Sequence, residues 1–424
     1  MTRHLIRLIW NRKRQNLLLT IEILCAFLVV FIVAIFGLTF AVNARAPLGY
    51  DTERVWVIDV GRPRTLAGQD GAEAAAAAET REREVFTRLL AAVRELPQVE
   101  IAAAAFTGPY VNAEWVSGMT LADGRKVNYV YNRVTDDFLP LLSMPIVAGR
   151  GFAREDDATA VDPVLINIQL ARTIFGDANP IGRIIPEKID PNRARRPADP
   201  PQTPKRVVGV IEDFRQGGPY STPQAVLFDR VRLDGEAGTP GRLGVPERLL
   251  IRVKPGTPAA FEPMLVRRLQ RESADWSFGA STMESLRERK LNDYMMPLTL
   301  LSVLAGFLLL MVTLGLTGVV WQSVIVRLRE FGLRRAAGAS GASVRRQVFG
   351  EMAVMTSFAV LAGTAIVGQL PFLPLPKELA VPAPVFAGAV ALTAAAIYCL
   401  TLVCGWYPSR LAARIPPADA LRYE

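Results

Sequence analysis

The sequence predicts a membrane α-helical protein of four transmembrane helices, with an α/β (mixed) extracytoplasmic domain of two subdomains inserted between helices 1 and 2. Three observations carry this reading. From Pro297 to Gln322 there is no ionisable side chain, and a run of that length crosses a hydrocarbon core of about 30 Å as a helix. Similar apolar runs occur once near the start of the chain and twice near its end. Between the first two runs the pattern changes to short strand-like and helix-like segments divided by Gly, Pro and Asp, as in an α/β domain that faces water.

Half of the 424 residues are hydrophobic and the net charge is +9, so the position of the charge decides what it means. Residues 1–16 carry +5, residues 323–347 carry +5 and the tail from Tyr407 carries +1, leaving −2 for everything else. The excess flanks the apolar runs, as the positive-inside rule expects of cytoplasmic segments. The large remainder has no surplus of cations for phosphates, which argues against nucleic acid as a partner.

Residues 1–16 form a basic, partly amphipathic cytoplasmic segment. The first transmembrane helix spans 17–42. A secretory signal shares its charge order, yet the apolar run exceeds a usual signal core and Pro47 would follow the Ala44-Arg45-Ala46 cut, so it reads as a retained anchor. Glu22 is the one acid within it. An intramembrane carboxylate is a functional candidate, but Glu22 lies within two turns of the cytoplasmic end, where it can snorkel outward or pair with Arg12 or Arg14.

The extracytoplasmic domain takes residues 43–281. Strands are expected at Val55–Val60, Arg206–Phe214, Ala225–Leu233 and Glu247–Val253, and helices at Ala72–Leu96 and Pro258–Arg271. Trp115–Leu121 and Lys126–Val134 flank the turn Ala122-Asp123-Gly124-Arg125 and form a hairpin. Asp162–Gly176 reads as a strand feeding a helix stopped by glycine. Pro186–Pro204 is an irregular, proline-rich loop. This alternation fits two small mixed subdomains better than one large sheet.

Residues 282–296 form a helical stalk leading into transmembrane helix 2 at 297–322. A cytoplasmic loop or helix covers 323–347, transmembrane helix 3 covers 348–370, an outer loop 371–384, transmembrane helix 4 covers 385–406, and a cytoplasmic tail 407–424. In helix 4, Ala387, Ala391 and Ala395 recur every four residues, a small-residue stripe that lets membrane helices approach closely. In the cytoplasmic segment Arg327, Glu330 and Arg334 share one helix face and Val324, Leu328 and Phe331 another, which suits a short amphipathic helix. A positively charged loop that only fixes topology fits the same spacing.

Several kinds of chemistry are excluded. His4 is the only histidine and precedes the first span, so the outer domain holds neither a Ser/His/Asp triad nor a histidine metal site. Cys25, Cys399 and Cys404 all lie in apolar spans, leaving the outer domain without a disulfide framework or thiolate site. Asp136-Asp137 and Glu155-Asp156-Asp157 with Asp162 could hold calcium or form a carboxylate pair, but turns and helix caps use the same residues. The 424 residues contain no G-x-x-x-x-G-K-[ST] phosphate loop. Spans two to four lack interior charges, which an ion-coupled carrier normally needs. Energy for any work must come from another source.

Arg327–Ala339 (RLREFGLRRAAGA) resembles the cytoplasmic signature of MacB/FtsX-type ABC transporter permeases, approximately R-x-R-E-I-G-L-R-R-A-L-G-A. The tail Tyr407–Glu424 resembles that family's closing segment. Gly149–Phe152, Asp156, Val164–Gly182 and Val208–Phe214 together resemble its MacB-type periplasmic core domain. Phe331 stands for the usual isoleucine, Ala337 for the usual leucine, and Ser340-Gly341-Ala342 is smaller than the commoner charged turn.

The resemblance implies a permease subunit in a bacterial inner membrane, both termini cytoplasmic, paired with a second copy of itself or a paralogue. A separate P-loop ATPase subunit would bind the ATP, so no cofactor, catalytic or metal residue is expected in this chain. Arg327, Arg329, Glu330, Gly332, Arg334, Arg335 and Gly338 would form the ATPase-coupling surface, with closure on ATP relayed through the stalk to move a substrate on the outer side. A periplasmic adaptor is a further expected partner. The alternatives are an FtsX-type complex that regulates a cell-wall hydrolase and a membrane-anchored receptor without an ATPase.

Overall fold

The computed structural model describes residues 13–63, 72–111, 115–158, 161–188, 203–219, 221–233, 245–326, 333, 340–372 and 381–414. It divides into two units, one of residues 43–292 and one of residues 1–42 with 293–424. The elements begin with α1 (Lys13–Asn43), β1 (Val55–Gly61), α2 (Ala72–Arg94), β2 (Val99–Ala105), β3 (Val116–Thr120), β4 (Lys126–Val134), α3 (Phe138–Leu141) and β5 (Ile146–Gly149). They continue with β6 (Asp162–Asn167), α4 (Ile168–Phe175), β7 (Lys205–Ile211), β8 (Val226–Arg230), β9 (Arg248–Val253), α5 (Phe261–Glu272) and β10 (Ser277–Thr282). The last three helices are α6 (Met283–Val326), α7 (Gly341–Val367) and α8 (Ala383–Arg414).

In the outer unit the strands follow the order β10-β1-β9-β2-β4-β8-β6-β7-β5, with β3 beside β4. The two subdomains are therefore joined in one large sheet, which the sequence reading disfavours: a single hydrogen-bonded path runs through both. Its middle link is slender, because β2 and β4 meet at the single pair Ala105↔Val134. On one side of that link β10, β1, β9 and β2 are all antiparallel. On the other, β4 with β8 and β6 with β7 are parallel, a mixture that requires crossovers.

Alternation along each strand sends side chains to opposite faces. Trp56, Ile58 and Val60 of β1 join Phe86, Leu89 and Val93 of α2 and Phe261, Leu265 and Leu269 of α5 in one core. In the second half Val164 and Ile166 of β6 join Leu170 and Ile174 of α4. The opposite face of both halves shares a third core, in which Val57, Ala103 and Leu250 pack with Val130, Leu165 and Phe228. The two subdomains keep their own helices and share this core. That shared core explains why ten strands can hang on one narrow link.

The hairpin, the strand-to-helix unit and the strands at 206–214, 225–233 and 247–253 appear near their predicted places. The sequence reading left β2, β5 and β10 unassigned. The small, alanine-rich run VEIAAAA of β2 lacks the β-branched residues that mark a strand, and burial between β9 and β4 decides it instead. Most of the predicted loop Pro186–Pro204 lies outside the described residues.

Four helices of the membrane unit are long and apolar enough to cross a bilayer, at Leu17–Asn43, Met283–Val326, Gly341–Phe372 and Ala383–Trp406. Stalk and second span are one helix, α6, with Pro297 inside it. The buried set is Ile23, Phe27 and Phe31 of α1, Val312, Leu316 and Val320 of α6, Met352, Met355 and Ala359 of α7, and Ala389, Ile397 and Cys404 of α8. Glycine permits the closest approaches. A Cβ at Gly363 would stand 2.4 Å from the Phe27 ring, and one at Gly405 would stand 2.8 Å from the Met352 sulfur. Thr356 and Thr401 hydroxyls meet at 3.0 Å and Ser357 meets the Tyr398 hydroxyl at 2.7 Å, polar contacts of the kind that bind helices in lipid.

The alanine stripe expected to pack helix 4 does not do so within the chain. Ala387, Ala391 and Ala395 are exposed, while Val385, Ala389, Thr393, Ile397 and Thr401 form the buried face. Both stripes share the four-residue period, and spacing alone does not choose between them. Glu22 is half-buried, and its carboxylate rests where a Cβ at Gly315 would come within 2.8 Å.

Candidate functional site

The residues predicted to couple to an ATPase, Arg327, Arg329, Glu330, Gly332, Arg334, Arg335 and Gly338, all lie outside the described residues. Their flanks are described. Helix α6 continues to Val326 and α7 starts at Gly341, so both adjoining membrane helices reach into the segment assigned to 323–347. Ser340 caps α7 with extended backbone, its hydroxyl accepting from the Ser343 amide at 3.3 Å. Such a cap satisfies one of the orphan donors at a helix start. Arg345 and Arg346 stand exposed on its first turns. The distal part of the predicted tail, residues 415–424, and the outer-loop residues 373–380 also lie outside the described set.

The acidic clusters of the outer unit are occupied by arginine. Asp136 pairs with Arg230 at 2.6 Å, Asp137 with Arg94 at 2.5 Å, and Asp157 with Arg230 at 2.5 Å and Arg232 at 3.3 Å. Asp156 is bound by Arg150 through both oxygens, at 2.6 and 2.8 Å, and accepts from the Ala153 amide at 3.0 Å. That bidentate bond holds its carboxyl below the usual carboxylate range against the opposing effect of burial. Asp162 accepts from the Thr203 hydroxyl at 2.6 Å. Among the described residues there is no group of three or more ligating side chains placed to hold a metal ion. These acids form an ion-pair network that fastens the turn after β4, the 3₁₀ turn Arg154–Ala158 and the end of β8 together.

Sequence reasoning missed a second constellation, at the two ends of the outer unit. Leu48 and Tyr50, on the chain after α1, and Met283 and Leu286, at the start of α6, pack in the shared core with Tyr110, Phe138, Phe214 and Phe228. Met283 is fully buried. Tyr50 meets Phe214 at 5.2 Å and Tyr110 at 6.2 Å between ring centroids, and its hydroxyl donates to the Arg215 carbonyl at 3.1 Å. Burial, followed by the neighbouring Tyr110, raises that hydroxyl well above the ordinary tyrosine range. The Gly217-Gly218-Pro219 turn after β7 was the available signal for this place. Nothing in the local pattern marks its neighbour Arg215 as buried.

Comparison with known proteins places these parts. Residues 24–263 match the MacB-like periplasmic core domain, more than half of the chain, and residues 302–417 match the FtsX-like permease C-terminal domain. The chain is 26% identical over 303 residues to the macrolide export ATP-binding/permease protein MacB of Chromobacterium violaceum, covering 68% of this chain and 42% of that protein. It is 28% identical over 303 residues to the pyoverdine export ATP-binding/permease protein PvdT of Pseudomonas aeruginosa, covering 67% and 41%. The chain thus spans less than half the length of these curated relatives. The crystal structure of the periplasmic region of MacB from Actinobacillus actinomycetemcomitans aligns with a TM-score of 0.36 at 12% identity, over 57% of this chain and 95% of that one.

Proposed function

This chain belongs to the family of ABC transporter permeases built from a MacB-like periplasmic core domain and an FtsX-like permease domain, and on that premise we propose that it is the membrane subunit of an exporter driven by an ATPase on a separate polypeptide. ATP binding and hydrolysis by that partner move the two membrane-side helices that border residues 327–339, and the motion is relayed outward to displace the periplasmic domain. The permease works as a dimer, with a second copy or a paralogue, in the bacterial inner membrane with both termini in the cytoplasm. It contributes no catalytic residue of its own, and a periplasmic adaptor takes the substrate onward.

The single observation that carries this reading is the continuity of α6. One unbroken helix begins at the fully buried Met283 of the outer core and ends at Val326, next to the arginine-rich segment. A helix rooted in a packed core passes on displacement without needing an aqueous path through the lipid, which suits spans two to four, whose interiors carry no charge. The arginines of the segment supply oriented, permanently charged donors for a protein partner.

The test is co-purification of the intact chain with its ATPase. Binding should survive in the wild type and fall by at least about tenfold when Arg334 and Arg335 are both changed to Glu, since charge reversal at an interface costs several kcal/mol. Unchanged binding would overturn the coupling assignment. Absence of any ATP-dependent movement of substrate in vesicles containing both subunits would overturn export.

A further inference from the structure

Among the described residues Arg215 heads the fully buried side chains by size. Its guanidinium makes no ion pair among the described residues; every direct partner is a backbone carbonyl. Nη1 donates to Asn43 at 2.7 Å and to Ala46 at 3.1 Å. Nε and Nη2 both donate to Ser221, at 3.0 and 2.5 Å, and Nη2 also reaches Pro219 at 2.8 Å. The backbone joins in, with the Arg215 amide donating to the Leu48 carbonyl at 3.2 Å. Burial pulls the guanidinium below its ordinary range, more than the Tyr50 hydroxyl and Asp213 restore it.

The surrounding backbone is shaped for this side chain. Gly49 (φ 80), Tyr110 (φ 63) and Gly218 (φ 87) all adopt left-handed conformations, and Tyr110 does so at a steric cost that glycine does not carry. A Cβ at Gly49 would lie 1.9 Å from the Asp213 carbonyl oxygen, and one at Gly218 would lie 2.4 Å from the Tyr110 ring. The Tyr110 amide donates to the Gln216 carbonyl at 2.7 Å. Three segments distant in sequence therefore interlock at one arginine.

An apolar side chain of similar volume would fill the space without desolvating a charge. It could not bind carbonyls of two segments at once. The segments matter, because the chain that leaves α1 continues into β1 of the first half, so its attachment to the second half is made by hydrogen bonds and packing alone. Strand β10 of the first half runs directly into α6. The second half, through the loop between β7 and β8, holds the chain that leaves α1, and Arg215 makes that bond.

We propose that Arg215 is a positioning residue that clamps the exit of the first span to the second half of the outer sheet, so that displacement of α1 reaches that half as well as the first, which the chain enters directly at β1. The proposal deepens the mechanical reading above and rests on it for its role in the working cycle. The clamp keeps this second attachment from slipping.

Hydrogen exchange on the full chain in lipid nanodiscs, together with its ATPase, tests this. Without nucleotide, Arg215→Met should raise exchange of the amides of Ala46, Asp51, Gly218 and Ser221 together by about tenfold or more, the expected result of orphaning several buried acceptors. Arg215→Lys, which keeps the charge but lacks the planar fork, should give a smaller rise in the same amides and covers the case in which the methionine variant does not fold. Loosening confined to one of the two segments overturns the clamp. With ATP and vanadate, the wild type should change protection in both segments, whereas in Arg215→Lys the change should stop at residues 44–51. Transmission to Gly218 and Ser221 in the lysine variant equal to wild type also overturns it. A wild type in which neither segment responds to nucleotide contradicts the mechanical function instead, and joint loosening in the variants would still establish the clamp.

Discussion

In the outer unit the positions of low exposure include Phe86, Phe138, Phe214 and Phe228, along with the Arg215 guanidinium and the ion-paired Asp156. In the membrane unit Phe27 and Phe31 are the large buried rings, while Ala26, Ala359 and Ala389 occupy the tightest positions and glycines face rings and sulfurs across the helix contacts. The solvents account for the contrast. Water drives large apolar surfaces into a core in proportion to their area. Lipid offers no such drive between apolar helices, so association rests on close fit and a few hydrogen bonds. The outer unit should therefore suffer most from volume removed and the membrane unit from volume added.

The largest effect should come from emptying the outer core. Phe228 is fully buried and touches Phe138 and Phe214 at centroid distances of 5.7 and 5.3 Å. Phe228→Ala should cost about 3–5 kcal/mol. Thermal unfolding followed by proteolysis of the outer unit would show it, and a loss below about 1 kcal/mol would mean that the three cores are not cooperative.

The converse change belongs in the membrane unit. Gly363→Leu forces side-chain atoms into the Phe27 ring, whose nearest carbon would be 2.4 Å from the new Cβ. Overpacking of this kind costs about 1–3 kcal/mol. It should be read as lowered thermal stability of the purified chain in detergent, with the outer unit's own protection against proteases unchanged. Gly306, which has open space where a Cβ would go, is the control position: Gly306→Leu should be near neutral. Equal losses at both glycines would break the contrast.

The ion pairs of the outer unit add a pH dependence. Asp156 has its pKa depressed by Arg150, so its contribution is present above the ordinary carboxylate range and is lost as pH falls through the lowered value. At neutral pH Asp156→Asn should cost about 1–2 kcal/mol, because a charge-assisted bidentate bond is replaced by a weaker one. As pH falls below the ordinary carboxylate range the wild type should lose more stability than the variant, and the two should converge once pH is below the lowered value. Parallel pH profiles would show that Arg150 contributes shape and no charge at this site.

How much of this was visible in the sequence follows the same division. The spans were legible because exclusion of charge from lipid is absolute over a long run, as in Pro297–Gln322. Turn chemistry placed the hairpin at Ala122–Arg125, and the glycine at 176 correctly ended α4. What stayed hidden was decided by contacts between distant residues. The alanines of β2 are strand by virtue of their neighbours, and the choice between the Ala387 and Ala389 stripes of α8 depended on α7. Arg215 carries the same letter as the arginines of the segment at 327–335. Its burial comes from carbonyls more than 160 residues away, which no local pattern encodes. The coupling residues were legible only through their resemblance to a family signature, since charge and spacing there also fit a loop that merely sets topology.

The smallest effect is the most discriminating between the two solvents. Thr356 is fully buried, and its hydroxyl meets that of Thr401, which also donates to the Ile397 carbonyl at 2.8 Å. In a water-soluble core, Thr→Val at such a pair would leave an unsatisfied hydroxyl costing about 1–3 kcal/mol. Here Thr401 keeps its own helix carbonyl as a partner, and the unfolded helix in lipid finds partners too. Thr356→Val should therefore cost only about 0.6 kcal/mol. A double-mutant cycle with Thr401→Val would isolate the pair, and a coupling of several kcal/mol would mean that these hydroxyls, and not the glycine contacts, hold α7 to α8.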